Sequence, residues 1–315
     1  MICSEYHPPF FLKNGHIQTI IPTVFRQVNN VVYHRERIDT ADNDFLDLDW
    51  SFARKSRLVI ISHGLEGNSE RAYVKGMVRA CNMSGYDALA WNYRSCSGVP
   101  NKQLRSYHSG ATDDLARVIN HAAETGRYRE IYLAGFSLGG NLTLVYLGKD
   151  IVNPMVKKAA VFSVPCDLKG SSMVLAKPAN RFYMNRFLVM LHEKIKAKMA
   201  VMPGEIDDKG FENIKNFKDF DDRYTAPING FKNAFDYWEK CSCKQFIKNI
   251  RVPTLIVNAK NDPCLSDSCS PVKEAAENPM VVLEMPESGG HVGFIELNKN
   301  NLFWSEKRAV KFFEQ

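Results

Sequence analysis

Three residues in this chain have the types and surroundings needed to relay a proton and open a covalent bond: Ser137, Asp262 and His291. A serine hydroxyl is a weak nucleophile until a base takes its proton. Ser137 lies in Gly135-Phe136-Ser137-Leu138-Gly139, where the flanking glycines remove side chains that would collide across a tight turn. His291 follows Gly289-Gly290 and carries an imidazole, which titrates near neutral pH and suits a base. Asp262 precedes Pro263, which disfavours helical backbone at the aspartate and leaves an extended carboxylate to hold the imidazole tautomer. Two backbone amides would face the negative oxygen formed on attack. They are Leu138, at the start of a helix, and Leu65, within Ser62-His63-Gly64-Leu65-Glu66-Gly67.

These groups need elements that bring them together. Ile131-Tyr132-Leu133-Ala134 is an apolar run that reads as a buried strand, and Leu138, Leu142, Val145 and Tyr146 then mark one helix face, so Ser137 sits where a strand turns into a helix. Leu58-Val59-Ile60-Ile61, Ala88-Leu89-Ala90-Trp91, Ala159-Ala160-Val161-Phe162, Thr254-Leu255-Ile256-Val257 and Val281-Val282-Leu283 read as further strands, with helices between most of them. Val31 to Ile38 and Phe45 to Phe52 read as a hairpin, the second strand half-buried because Leu46, Leu48 and Trp50 alternate with Asp47 and Asp49. Such alternation implies an α/β fold: a mostly parallel central sheet with helices on both faces, whose ligands bind beyond the carboxyl ends of the strands. His63, Ser137, Asp262 and His291 all fall at such ends.

The alternation breaks from Asp167 to about Phe246. An amphipathic helix over 182–199 lies in this stretch, which is far longer than an ordinary connection. The expected organisation is therefore a core of residues 1–166 and 247–315 with a helical lid insertion at 167–246. Asp167 also follows a strand and competes with Asp262 as the acid, although Asp262 ends the penultimate strand and is favoured. His108 and His121 read as solvated, His63 as shaping the Leu65 turn, and Asp221 and Asp236 as surface charges of the lid. Residues 8–25, which include Asn14-Gly15-His16-Ile17-Gln18-Thr19, read as a packed arm.

Composition narrows the function classes. The net charge of +6, from 41 basic and 35 acidic residues, is spread along the chain, with no basic block of the kind that binds nucleic acid. No run approaches the roughly 18 apolar residues of a transmembrane segment, and the first residues lack the pattern of a signal peptide. The eight cysteines form no C-x-x-C pair and no zinc-finger spacing, so reduced thiols in a cytoplasmic protein are expected, with no metal and no organic cofactor.

The chain order Ser, Asp, His, together with the glycine-flanked serine, resembles the α/β-hydrolase superfamily. More narrowly it resembles the YheT-like branch of predicted serine esterases. The matching segments are Asn14-Gly15-His16-Ile17-Gln18-Thr19, His63-Gly64-Leu65-Glu66-Gly67, Asn92-Tyr93-Arg94-Ser95-Cys96-Ser97-Gly98, Tyr107-His108-Ser109-Gly110, Gly135 to Asn141, Tyr224-Thr225-Ala226-Pro227, Asn261-Asp262-Pro263 and Gly289 to Phe294. They span nearly the whole chain. The resemblance implies the α/β-hydrolase fold, a Ser137, Asp262 and His291 triad, a small-molecule acyl ester substrate and a place in lipid metabolism. One position departs: Ser95 stands where the branch has glycine. Two other functions remain open on the same fold, acyl transfer to an alcohol or thiol, and a catalytically silent binding protein. A His-x4-Asp signature would favour acyl transfer. His108 and Asp113 have that spacing, at a helix start, where capping of the helix by Asp113 and its neighbours is the simpler reading.

Overall fold

Successive side chains of a strand point to opposite faces, and in the central strands both faces are apolar. Leu58 and Ile60 enter one core while Val59 and Ile61 enter the other, and Ile131 and Leu133 alternate with Tyr132, Ala134 and Phe136 in the same way. The computed structural model describes residues 2–315. The chain runs α1 (Gly15–Phe25), β1 (His34–Asp39), β2 (Phe45–Ser51), β3 (Arg57–Ser62), α2 (Ala72–Met83), β4 (Asp87–Asn92), α3 (Thr112–Glu124), β5 (Glu130–Phe136), α4 (Leu138–Lys149) and β6 (Val156–Phe162). It continues with α5 (Leu168–Leu175), α6 (Arg181–Val201), α7 (Phe217–Phe220), α8 (Ala226–Ile228), α9 (Ala234–Cys241), β7 (Thr254–Val257), α10 (Val272–Ala276), β8 (Val281–Glu284) and α11 (Trp304–Glu314).

The eight strands form one sheet in the order β1-β2-β4-β3-β5-β6-β7-β8. β2 is antiparallel to both its neighbours, and every pair from β4 to β8 is parallel. α2 and α11 contribute to the core on one face, and α3, α4 and α10 to the core on the other. The chain leaves β3 toward β4 on one side and later returns to β5 on the other. That reversal opens a crevice at the carboxyl ends of β3 and β5, the place where sheets of this kind bind ligands.

The first strands correct the expectation in detail. β1 begins at His34 rather than Val31, and every residue of β2 is buried, not only its apolar ones. Asp47 and Asp49 point away from Leu46, Leu48 and Trp50, and each is covered by an arginine from β1. Arg37 donates to both oxygens of Asp47 at 2.7 and 2.8 Å, and Arg35 to both of Asp49 at 2.8 and 2.7 Å. The fork geometry of the guanidinium permits this paired covering, and the arginine stems shield the strand.

The segment between β6 and β7 adds no strand to the sheet and is largely helical, and a π-turn at Asp221–Thr225 joins α7 to α8. It builds its own apolar cluster, with Leu175, Met184, Leu188, Leu191, Phe211 and Phe220 at its centre. Ser95, standing where glycine was expected, adopts φ +60 in the left-handed region. All eight cysteines are unpaired. Among the described residues no helix is long and apolar enough to cross a membrane.

Close approach of α4 to β3 depends on Gly139. A methyl group there would lie 2.3 Å from the Ser62 carbonyl oxygen and 2.5 Å from that of His63. Gly139→Ala should force α4 away from β3 and cost about 1–3 kcal/mol of stability, read as a lowered midpoint in urea unfolding.

Candidate active site

β5 ends at Phe136, and the chain turns into α4 through Ser137, whose backbone is at φ 52 and ψ −120. A side chain rarely adopts this conformation, and it is held here from both ends. The Ser137 N–H donates to the Phe162 carbonyl at 2.9 Å, and the Asn141 N–H donates to the Ser137 carbonyl at 3.0 Å. The turn is tight enough that a methyl group on Gly135 would meet the Gly139 carbonyl oxygen at 2.7 Å. The hydroxyl is thereby aimed away from the sheet and toward His291.

Ser137 Oγ lies 2.9 Å from His291 Nε2, and His291 Nδ1 lies 2.8 and 3.1 Å from the two oxygens of Asp262. An ionised carboxylate can only accept, so Nδ1–H donates to Asp262 and Nε2 is left to accept the serine proton. The Asp262 side chain is fully buried and accepts a second bond, 2.8 Å, from the Cys264 N–H. The structure thus brings Ser137, His291 and Asp262 into one hydrogen-bonded line. Asp167 is elsewhere: it caps α5, accepting from the Gly170 N–H at 3.1 Å.

Leu65 and Leu138 both line the chamber that Ser137 borders. Leu138 is the first residue of α4, so its amide has no partner within the helix. Around Leu65 the other amides are taken. Gly64 N–H donates to the Tyr73 hydroxyl at 2.9 Å, Glu66 N–H to the Tyr107 hydroxyl at 3.0 Å and Gly67 N–H to the Gly64 carbonyl at 3.0 Å. His63 shapes this turn, as expected. Its Nδ1–H donates to the Gly64 carbonyl at 2.8 Å and its Nε2 accepts from the Tyr93 N–H at 3.2 Å. Burial lowers the His63 pKa to about 3, so it stays neutral.

The loop carrying His291 is braced by a helix that sequence reasoning left without a role. His291 N–H donates to Thr19 Oγ1 at 2.9 Å, and Gln18 Oε1 accepts from the Ile295 N–H at 3.2 Å. Gly290 N–H donates to Asn261 Oδ1 at 3.1 Å, while Asn261 Nδ2 donates to the Lys13 carbonyl at 2.7 Å. Asn14 caps the helix by accepting from the His16 and Ile17 amides. The buried face of α1 is Gly15, Gln18, Thr19 and Pro22, while Ile17, Ile21, Val24 and Phe25 are exposed. The packed arm read from the sequence is thus a helix whose buried face is small and polar, so apolar periodicity does not mark it. The available signal was the helical spacing of Gly15, Gln18, Thr19 and Pro22.

Two chambers meet at Ser137 and His291, sharing Leu65, Glu66, Phe187 and Cys264. One, of about 150 Å³, runs beneath α5, α6 and α9 and is walled mainly by apolar side chains such as Leu175, Leu191, Phe220 and Trp238. The other, of about 170 Å³, opens between α1 and α6 and carries Arg71 and Arg186 beside Ile20, Val24, Tyr73 and Phe182. Asp221 is not a surface charge. It is buried in the wall of the first chamber, where the Thr225 hydroxyl donates to it at 2.5 Å and the Trp238 indole at 2.8 Å, and burial pushes its carboxyl up to about 7. Asp236 does lie outside, paired with Lys240 at 2.8 Å. His121 lies beside Glu36. His108 is not solvated either: it borders the first chamber, and burial lowers its pKa to about 4. Asp113, four residues past its neighbour Ser109, pairs with Arg105 at 2.7 Å rather than with His108.

Among the described residues, Asp262, Cys264 and His291 form the one cluster of possible metal ligands. Burial raises the Cys264 thiol well above its ordinary pKa, against the thiolate a metal requires, and Asp262 and His291 already bond each other.

Residues 57–296 match the family model described as the alpha/beta hydrolase fold. The chain belongs to the α/β-hydrolase family. This α/β-hydrolase is 34% identical to YheT of Escherichia coli (strain K12), a candidate esterase by its name, over 93% of this chain and 87% of that one. It is 28% identical to the phospholipase ABHD3 of Mus musculus, over 94% of this chain and 74% of that one. Among solved structures, the esterase Pf2001 of Pyrococcus furiosus superposes with a TM-score of 0.59 at 15% identity, over 92% of this chain and 97% of that one, a likeness of fold. The hydrolase is thus related to esterases and lipases.

Two outcomes follow from this geometry. Asp262→Asn should lower turnover by about four orders of magnitude while leaving circular dichroism unchanged, whereas Asp167→Asn should cost at most about 1 kcal/mol of stability from its helix cap. Asp221 has a raised folded pKa, so its contribution to stability is full below about pH 4 and is lost as pH rises through about 7. Urea unfolding from pH 4 to 8 should show this decline, at up to about 1.4 kcal/mol for each pH unit, and Asp221→Asn should flatten it.

Proposed function

We propose that the protein hydrolyses carboxylic (acyl) esters through an acyl-enzyme on Ser137. The observation that carries this reading is the line of hydrogen bonds from Asp262 through His291 to Ser137, at the junction of two chambers. Ser137 Oγ attacks the ester carbonyl as its proton passes to His291 Nε2, and Asp262 stabilises the resulting imidazolium. The carbonyl oxygen, now negative, lies against the Leu65 and Leu138 amides, each worth about 3–4 kcal/mol of barrier. Collapse of the intermediate breaks the bond to the alcohol, which leaves with the proton from His291. A water, deprotonated by the same imidazole, then attacks the acyl-enzyme and releases the acid, restoring Ser137.

The first chamber suits the acyl chain, because the inserted helices wall it with apolar side chains such as Leu175, Leu191, Phe220 and Trp238, and the second, which carries Arg71 and Arg186, suits the alcohol half. Residues 167–246 act as the lid over the core of residues 1–166 and 247–315. Support comes from the wall of the first chamber, most of which α5, α6 and the segment from Phe217 to Trp238 supply. Names of relatives agree on ester substrates, among them a phospholipase and a monoacylglycerol lipase of Saccharomyces cerevisiae. Eight unpaired cysteines, seven of them buried, suit a reducing cytoplasm.

A fluorophosphonate probe should label wild-type protein at Ser137 alone, and p-nitrophenyl esters of increasing chain length should be hydrolysed. Ser137→Ala should lose both. Labelling that persists in Ser137→Ala, or a wild-type protein that neither labels nor turns over any ester, would overturn the reading.

A further inference from the structure

The Leu65 amide stands next to a residue in an unusual conformation. Glu66 is at φ +52, in the left-handed region where a side chain is disfavoured. Three partners hold it there. Its N–H donates to the Tyr107 hydroxyl at 3.0 Å, and that hydroxyl donates in turn to Glu66 Oε1 at 2.5 Å. Its carbonyl accepts from Arg71 Nη2 at 2.8 Å. The third partner is Lys194, whose Nζ lies 2.9 Å from Glu66 Oε1, 2.9 Å from Cys96 Sγ and 4.5 Å from the centre of the Tyr107 ring.

Lys194 belongs to α6, far along the chain in the inserted helical segment. Among the described residues, its bond to Glu66 is the one ion pair that α6 makes with the sheet domain. Both partners are shielded, with 17% of the lysine and 7% of the glutamate side chain exposed. Removing one partner from such a pair leaves the other charged and buried, which is far more costly than losing an exposed pair. Seating of α6 and the conformation of Glu66 are therefore tied by a strong and local interaction.

Resting on the esterase reading above, we propose that Lys194 is a positioning residue that, through Glu66 and Tyr107, holds the Leu65 amide in place to receive the ester oxygen. The carboxylate of Glu66, pinned by Lys194, keeps Tyr107 oriented. Tyr107 takes the Glu66 amide, and the left-handed Glu66 leaves the neighbouring Leu65 amide facing Ser137. Seating α6 both covers the first chamber and completes the pair of donors. A site whose covering helix is displaced would lack one donor, so the acyl-enzyme would form only under cover.

The test compares wild type with Lys194→Met, which keeps the aliphatic stem, and with Glu66→Gln, which keeps an acceptor for Tyr107. The substrate is p-nitrophenyl acetate, too short to need the deep chamber, and the probe is a small fluorophosphonate, whose reaction also develops charge on oxygen. In Lys194→Met, kcat should fall on the order of 10- to 100-fold with KM nearly unchanged, and labelling of Ser137 should slow by a similar factor. Lys194→Arg should recover most of the loss. The double variant Lys194→Met/Glu66→Gln should be less impaired than Lys194→Met, because no unpaired charge remains. Should Lys194→Met not fold, Glu66→Gln alone carries the same kcat expectation. Wild-type kcat and labelling rate in a folded Lys194→Met, or in Glu66→Gln, would overturn the positioning role and leave the esterase reading intact. A wild-type protein that does not label at Ser137 would overturn both.

Discussion

The conformation of Ser137 is the constraint on which the rest of the site depends. A residue at φ 52 and ψ −120 has about 1–3 kcal/mol of strain to offset, and it persists only where its surroundings over-determine it. Here the surroundings are the register of β5 with β6, which sets the Phe162 carbonyl against the Ser137 amide, and the first turn of α4, which returns the Asn141 amide to the Ser137 carbonyl. Both need α4 to lie close to β3, and only glycine at 139 allows that approach. Strand register, helix placement and serine orientation are thus one geometric condition.

The histidine is held by different means. The His291 loop carries left-handed residues at Gly290, Val292 and Phe294 and has no regular structure of its own. Its shape comes from polar contacts contributed by distant segments: Thr19 on the His291 amide, Ser163 on the Val292 amide at 2.8 Å and Asn261 on the Gly290 amide. Those donors would otherwise be unsatisfied, so the contacts fix the loop at little net cost. Gly290 and Gly293 let α1 approach within contact, since a methyl group on either would strike the backbone of Gly15 or Gln18. A helix near the amino end of the chain is for this reason part of the site.

Around this framework the protein buries several ionisable groups, and each is balanced in its own way. Asp47 and Asp49 are covered by arginine forks on the adjacent strand. Arg94 is enclosed by Asp42, Asp44 and Asp114. Lys194 is matched by Glu66. Asp221 has no cation and answers burial by holding its proton more tightly. In the wall of a mainly apolar chamber it is held by Trp238 and Thr225 as donors.

Residues 135–139, with a buried strand before them and an apolar helix face after them, contain the strand-to-helix turn at Ser137 outright, because that turn needs glycines at fixed spacing and the flanking periodicities are local. The parallel core was legible for the same reason: continuous apolar runs at 58–61, 131–134 and 254–257 have one stable place, inside a sheet covered on both faces. Asp262 and His291 could be named from their strand-end positions and chain order, but their contact with Ser137 depends on β5, β7 and β8 lying in one parallel run of the sheet, with β6 between the first two. What the sequence could not reveal shares one cause. The face that α1 presents to the His291 loop is polar and small, the burial of Asp221 and His108 comes from a helical segment folding back over them, and the pairing of Lys194 with Glu66 joins residues far apart in the chain. Periodicity reports which side of an element prefers to leave water, and only the packed structure decides which polar groups follow it inside and what they meet there.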